Sequence, residues 1–368
     1  MTSSHNNVLV VGPYSGTGGV ISFQRNLIEL SNLKESWNFT QYNISRPSKK
    51  QESNHHYNTI FQQDIKRLLK AGTCTAKNFL LYSRALRGKN VVQIQSSDFY
   101  SFWESSYYAI LARKKNIPVV MRFGGVFDVF YNSNGPKVQK LIRWILQQPS
   151  AIVVQSQSWK DYFSQFVSPH KLHIIGNAIP HQPFIERKDR KGVPKVLFIC
   201  GAEAKRKGYF ELIEAIQGLD LELIIVAANE IVRADMSTRN LPQVTLLDSV
   251  SRETLKETLY PQADIFAIPS HGEGFPNAML EAMAASLPIV ATPVGAIPEV
   301  ITHNVHGTII PVGDISTLKK QLHALCSNRE KRLQFGAASY QHAMNTFEIN
   351  TMFSRFAHLW NTVIHAQQ

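Results

Sequence analysis

Residues 264–299 read DIFAIPSHGEGFPNAMLEAMAASLPIVATPVGAIPE, and the order of residue types in this stretch decides the fold. Ile265 to Ile268 is a short apolar run stopped by Pro269, the pattern of a strand buried on both faces. A polar turn bracketed by glycines follows, Ser270-His-Gly-Glu-Gly274. Pro276 then stands at a helix start, and Asn277 to Ser286 are mostly good helix formers until Leu287-Pro288 stops them. Ile289 to Ala291 is a second buried run, so the unit is strand, turn, helix, strand. Glu273 falls just before the helix N-terminus, where backbone amides and the helix dipole favour an anion. Glu281, eight residues on, flanks that place about one turn further in.

Working outward, 368 residues exceed one comfortable core and predict two domains, and 44% apolar residues suffice to bury both. Cys74, Cys200 and Cys326 lie far apart with no C-x-x-C pair, which argues for a reducing compartment and against structural zinc or disulfides. Val8 to Val11 is too short for a signal peptide or membrane span, and no apolar run of about 18 residues occurs. The expectation is a soluble cytoplasmic protein. A net charge of +12 calls for phosphorylated small molecules, an anionic membrane face or nucleic acid as partner. With no RNP-like aromatic box, zinc-finger spacing or long basic tail, nucleic acid is the weakest of these.

The chain alternates strand and helix from its start. Val8 to Gly12 reads as a strand, Gly12 to Gly19 as a glycine-containing loop and Val20 to Leu30 as a helix. The loop lacks the third glycine of a dinucleotide fingerprint, so it reads equally as a structural turn or a phosphate cradle. Trp37 to Ile44 is a strand, Ser45 to Tyr57 a polar loop, and two basic segments follow with Lys66, Arg67 and Lys70, then Lys77, Arg84, Arg87 and Lys89. Val91 to Gln95 and Ile117 to Arg122 are strands around a helix at Trp103 to Lys115, and Phe123-Gly124-Gly125 is again a glycine turn. The helix Lys137 to Gln147 sets Lys137, Lys140 and Arg143 beside Ile142, Trp144 and Ile145. It reads as an ordinary amphipathic helix with a solvated basic edge, or as one that rests on an anionic membrane. Strands at Ala151 to Val154 and Leu172 to Ile175 complete the first half, residues 1–180.

A charged, proline-punctuated linker, 181–194, precedes a second alternation over 195–345. Its strands are Lys195 to Cys200, Leu221 to Ala227, Val244 to Leu247, the two of the opening stretch and Gly307 to Ile310; Ser251 and Asp314 cap helices. The helical tail is interrupted near Phe347, and its last part, 346–368, is expected to pack back on the N-terminal domain. Two parallel α/β sheets, each opening with a strand and a glycine turn, imply two facing Rossmann-like domains with a cleft between them.

Between the second domain's first strand and first helix lies Lys205-Arg206-Lys207. At a strand's C-terminal end in the sheet that carries Glu273, one of these cations can neutralise a diphosphate leaving group where a metal would otherwise stand. The plain alternative is a solvated basic turn. Metal is poorly supported: the H-x-x-H pairs His170/His173 and His303/His306 have no carboxylate or cysteine close by in sequence. His271 reads as a turn residue more readily than as a catalyst. Glu281 lies on a helix that is otherwise apolar all round, so its carboxylate needs a hydrogen-bond donor, and ribose hydroxyls would serve.

Glu273-Gly-Phe-Pro-Asn-Ala-Met-Leu-Glu281 resembles the E-x7-E element of retaining GT-B glycosyltransferases, specifically family 4 (glycosyl transferases group 1), which includes bacterial polysaccharide and glycolipid enzymes. Ala263-Asp264, Pro269-Ser270, Gly295 with Glu299, Gly18-Gly19, Asn177 and Lys207-Gly208 fall in that family's order, loosely in the N-terminal half. The resemblance implies a GT-B fold and a UDP- or GDP-sugar donor bound mostly by the C-terminal domain. Glu281 would bind the ribose and Glu273 the donor sugar. The amides of Gly274, Phe275, Pro276, Asn277 and Ala278, proline lacking its own N–H, would hold sugar and phosphate. Lys207 would neutralise the diphosphate, and Gly18 and Gly19 would approach it from the other domain. The acceptor would be a saccharide or lipid-linked hydroxyl, and catalysis would need neither metal nor organic cofactor.

Three departures are visible. Ala202 stands where many members carry an arginine, a place that the resemblance gives to Arg206. Arg122-Phe-Gly124-Gly125 occupies the place of a usual histidine on the acceptor side, and Asp248 replaces a glycine near the base. The other readings are a catalytically silent sugar-nucleotide or glycan-binding GT-B subunit, a GT-B epimerase or phosphorylase, and an NAD dehydrogenase. The last fails for want of a complete fingerprint.

Overall fold

The computed structural model describes residues 6–14, 19–31, 37–44, 78–79, 81–125, 127–185, 192–201 and 203–366. Expectations for Gly18, for the polar loop at 45–57, for Lys66, Arg67, Lys70 and Lys77, and for Ala202 lie outside these residues. The chain forms two compact units: Met1–Asn177 with Met352–Gln368, and Ala178–Thr351.

The first unit holds six parallel strands: β1 (Asn6–Gly12), β2 (Trp37–Asn43), β3 (Val91–Ser96), β4 (Val119–Phe123), β5 (Ala151–Val154) and β6 (Leu172–Ile174), in the order β2-β1-β3-β4-β5-β6. Strands β3, β4 and β5 are buried along their whole length, as a parallel sheet covered on both faces requires. The sheet reverses direction of growth between β1 and β3, so the turns after these two strands share one edge. Gly12 ends β1 where a β-carbon would fall 2.2 Å from Gln24 Oε1, which lets the helix Gly19–Ser31 come close. The helix Ile349–His365 supplies the unit's last layer. Trp360 is fully buried against Trp37 and Phe39, and its Nε1–H donates to Gln93 Oε1 at 3.0 Å.

In the second unit are β7 (Lys195–Ile199), β8 (Glu222–Val226), β9 (Val244–Leu246), β10 (Ile265–Ile268), β11 (Ile289–Ala291) and β12 (Gly307–Ile309). Their order, β12-β11-β10-β7-β8-β9, is the dinucleotide-fold arrangement, with its switch point between β7 and β10. Asp264 locks that pair in register: its Oδ2 accepts from Lys195 N–H at 2.9 Å and its own N–H donates to Lys195 O at 2.8 Å. Ser251 and Asp314 cap their helices as expected, accepting from Thr254 and Thr317 N–H. The helix Asn277–Ala284 ends earlier than its composition suggests, because Ser286 adopts a left-handed φ of 59°. The segment described through Ile185 clusters with this unit, where Gln182 is buried and its carbonyl accepts from Tyr340 Oη at 2.8 Å.

Candidate active site

Because β7 and β10 are neighbours, the turns that leave their C-terminal ends are neighbours too. Gly208 makes the approach close: with φ +77°, a β-carbon there would lie 2.0 Å from the Pro269 carbonyl oxygen. No other residue fits both the backbone angle and the space. Its neighbour Lys207 is thereby set against the acidic turn, with Nζ 2.7 Å from Glu273 Oε1. Ser270 Oγ donates to the same oxygen at 2.7 Å. The Glu273 side chain is 7% exposed and Lys207 23%, so this is a half-sheltered pair open to solvent on the lysine side. Arg206 bonds the Gly272 carbonyl and Glu203, and its Nη1 lies 3.8 Å from Glu273 Oε2. Of the three cations in the turn, two therefore converge on Glu273.

The loop after β11 supports the acidic turn from below. Gly295, at φ +57°, approaches so closely that a β-carbon would meet Glu273 O at 2.1 Å, and Ala296 N–H donates to Gly274 O at 2.9 Å. Phe275 packs edge-on against Phe347, ring centroids 5.7 Å apart. Pro276 occupies the cap and Asn277 opens the helix. The residues expected to present amides, Gly274 to Ala278, thus surround the N-terminus of one short helix.

Glu281 sits on that helix, 13% exposed. The donors its burial requires come from the chain itself: Arg252 Nε at 2.9 Å to Oε1 and Tyr260 Oη at 3.1 Å to Oε2. Burial, and then the Glu281 charge, push the Tyr260 phenol well above its usual pKa, so it is a donor at any physiological pH. Sequence reasoning missed both partners. They lie 29 and 21 residues away in sequence, with no spacing that marks them.

His271 is a turn residue, its N–H donating to Arg206 O at 2.7 Å and its Nε2 paired with Glu211 Oε1 at 2.7 Å. His303 and His306 each accept a backbone N–H through Nδ1. Among the described residues no group of three or more His, Cys, Asp or Glu side chains is placed to hold a metal ion. Asp248 pairs with Arg233.

In the first unit, Arg122 is completely buried. Nη2 donates to Asn177 Oδ1 at 2.6 Å, Nη1 to Gln95 Oε1 at 3.3 Å, and the guanidinium lies 3.9 Å over the Phe23 ring. Burial holds its pKa down at about 9. Gln155 Nε2 donates to the same Asn177 oxygen at 3.0 Å, so Arg122 acts as a clamp within the unit and lines no surface. Gly124 and Gly125 do stand at the sheet edge: Gly124 N–H donates to Ser96 O, and Gly125, at φ +90°, sits against Ser97 and Asp98. A small cleft there is lined by Phe123, Gly124, Gly125, Phe127 and Trp159. Gly19 opens the helix after β1.

Residues 182–342 match the family described as Glycosyl transferases group 1. N-acetyl-alpha-D-glucosaminyl L-malate synthase of Bacillus anthracis is 23% identical over 264 residues, 68% of this chain and 69% of that protein. Two solved structures superpose on nearly the whole chain. Sucrose-phosphate synthase of Thermosynechococcus elongatus does so with a TM-score of 0.77 at 15% identity, covering 98% of this chain and 100% of that one. Anabaena HepE in complex with UDP-glucose gives 0.70 at 13% identity, over 97% and 100%.

Proposed function

We propose, from a second unit that belongs to the glycosyl transferases group 1 family within a chain of GT-B architecture, that the protein moves a hexose-type sugar from a nucleotide-diphosphate donor to a hydroxyl of a saccharide or lipid-linked acceptor. The transfer retains anomeric configuration and uses no metal or organic cofactor. The observation that carries this reading is the Lys207–Glu273 pair at the switch point of the second sheet. A cation and a carboxylate held there by two turns of fixed geometry match a diphosphate and the sugar it carries.

In this reading the diphosphate of a UDP- or GDP-sugar takes over Lys207, with Arg206 beside it, and Glu273 turns its freed oxygen to a sugar hydroxyl. The amides around Gly274 to Ala278 hold sugar and phosphate at the helix N-terminus. Glu281 accepts the ribose hydroxyls through lone pairs that Arg252 and Tyr260 leave over, since each carboxylate oxygen offers about two. The bond between the anomeric carbon and the phosphate oxygen then breaks. The acceptor oxygen bonds that carbon from the same face, and its proton passes to the departing phosphate. The acceptor-side residues Gly124 and Gly125 stand at the strand-end edge of the first unit's own sheet. The UDP-glucose in the HepE complex supports a nucleotide-sugar donor.

Slow release of nucleoside diphosphate from sugar nucleotides tests the proposal. Release by the wild type that persists in EDTA and vanishes in Glu273→Ala is expected. Binding without turnover across a donor panel would favour a silent sugar-nucleotide-binding subunit instead.

A further inference from the structure

Among the described residues no helix is long and apolar enough to cross a membrane, yet one helix of the first unit presents an apolar face outward. In Pro136–Leu146 the inward residues are Ile142, Ile145 and Leu146. Trp144, which the sequence grouped with that apolar set, points the other way and is 52% exposed, and Leu141 is 46% exposed. Lys137, Lys140, Leu141 and Trp144 fall at helical spacing i, i+3, i+4 and i+7, so they form one stripe. Lys137, Lys140 and Arg143 are all exposed. Arg143 is steadied by a 2.6 Å bond from Nε to Tyr131 Oη, and no Asp or Glu occurs between Val129 and Lys160.

We infer that this stripe is a docking surface for an anionic lipid bilayer, with Trp144 and Leu141 entering the headgroup boundary and the cations pairing with lipid phosphates. An apolar pair ringed by one sign of charge suits an interface that is itself apolar within and negative at its surface. A second copy of the chain fits poorly, because a two-fold contact through this stripe would bury Lys137 and Lys140 of both copies while residues 129–160 supply no Asp or Glu to pair them. The inference is independent of the glycosyl-transfer reading.

The test is co-sedimentation of the full chain with vesicles of phosphatidylcholine alone or mixed equally with phosphatidylglycerol. Binding to the mixed vesicles only, weakened by salt, is expected. Lys137→Ala/Lys140→Ala should lower vesicle affinity about 30-fold, and Leu141→Ala/Trp144→Ala at least about 10-fold. Because all four side chains are solvent-exposed, both variants should keep the wild-type melting temperature and response to sugar nucleotides. The inference is overturned if the wild type ignores the mixed vesicles, if either variant binds them equally well, or if the wild type is a dimer that Leu141→Ala/Trp144→Ala dissociates.

Discussion

Lys207 Nζ lies 2.7 Å from Glu273 Oε1, so the cation assigned to the diphosphate is held by the carboxylate assigned to the sugar. The pair keeps both groups in place, and under the proposed function donor binding would exchange one partner of Lys207 for another. Lys207→Met should therefore lower turnover about 100- to 1000-fold, the usual loss when one group that stabilises developing charge is removed. It should also cost about 1–3 kcal/mol of stability, since Glu273 keeps Ser270 but loses its charged partner. Nucleoside diphosphate release and urea unfolding measure the two effects separately.

Gly208 and Gly218 separate backbone strain from collision. Both have positive φ, +77° and +74°, but a β-carbon meets Pro269 O at 2.0 Å in the first case and nothing within 4 Å in the second. Gly218→Ala should cost about 1–2 kcal/mol. Gly208→Ala should cost clearly more and should also impair turnover, because relief of the clash moves Lys207. Similar melting shifts for the two variants would contradict this account of the turn.

Arg252 and Tyr260 hold Glu281 from both sides and should act through it. Arg252→Ala is expected to weaken donor binding about 10-fold, the scale of a lost charge-assisted hydrogen bond. The maximal rate should change little, since the ribose lies away from the bond that breaks. Kinetics at varied donor concentration would show a raised KM with kcat retained; the reverse split would remove Arg252 from this role.

The stacked rings of His306 and His342, with centroids 4.6 Å apart, should make the second unit acid-sensitive. Burial lowers the pKa of both, and the neighbouring His342 lowers that of His306 further. Their unfolded value is near 6.5, so the unfolded chain takes up protons first as pH falls. The stability these residues contribute is complete above about pH 6.5 and is lost as pH drops toward their depressed folded values. His342→Phe keeps a ring in the stack and should flatten the decline in unfolding free energy between neutral and mildly acid pH.

Much of this was legible in the residues. Buried runs such as Ile265–Ile268 and Ala151–Val154 match their strands at both ends, because parallel strands covered on two faces read as near-continuous apolar runs. Caps at Ser251 and Asp314 were readable because hydroxyl and carboxylate side chains satisfy helix N–H groups locally. Glu273 and Lys207 could be suspected from their places at strand ends, but only the β7–β10 neighbourhood joins them across 66 residues. The partners of Glu281 were invisible, since a buried carboxylate announces that it needs donors and not where they come from. The outward turn of Trp144 was equally hidden: several apolar residues on one short helix leave open which of them forms the core.

The proposed function requires the second unit to bind a nucleotide sugar through Glu281 and the acidic turn. Thermal unfolding with UDP-, GDP- and ADP-sugars tests it most directly, because a ligand at 100 times its dissociation constant adds about 2.7 kcal/mol. At least one sugar nucleotide should stabilise the wild type by a shift of this order, and Glu281→Ala should lose most of it. No stabilisation across the panel, or the same stabilisation in Glu281→Ala, would contradict the claim.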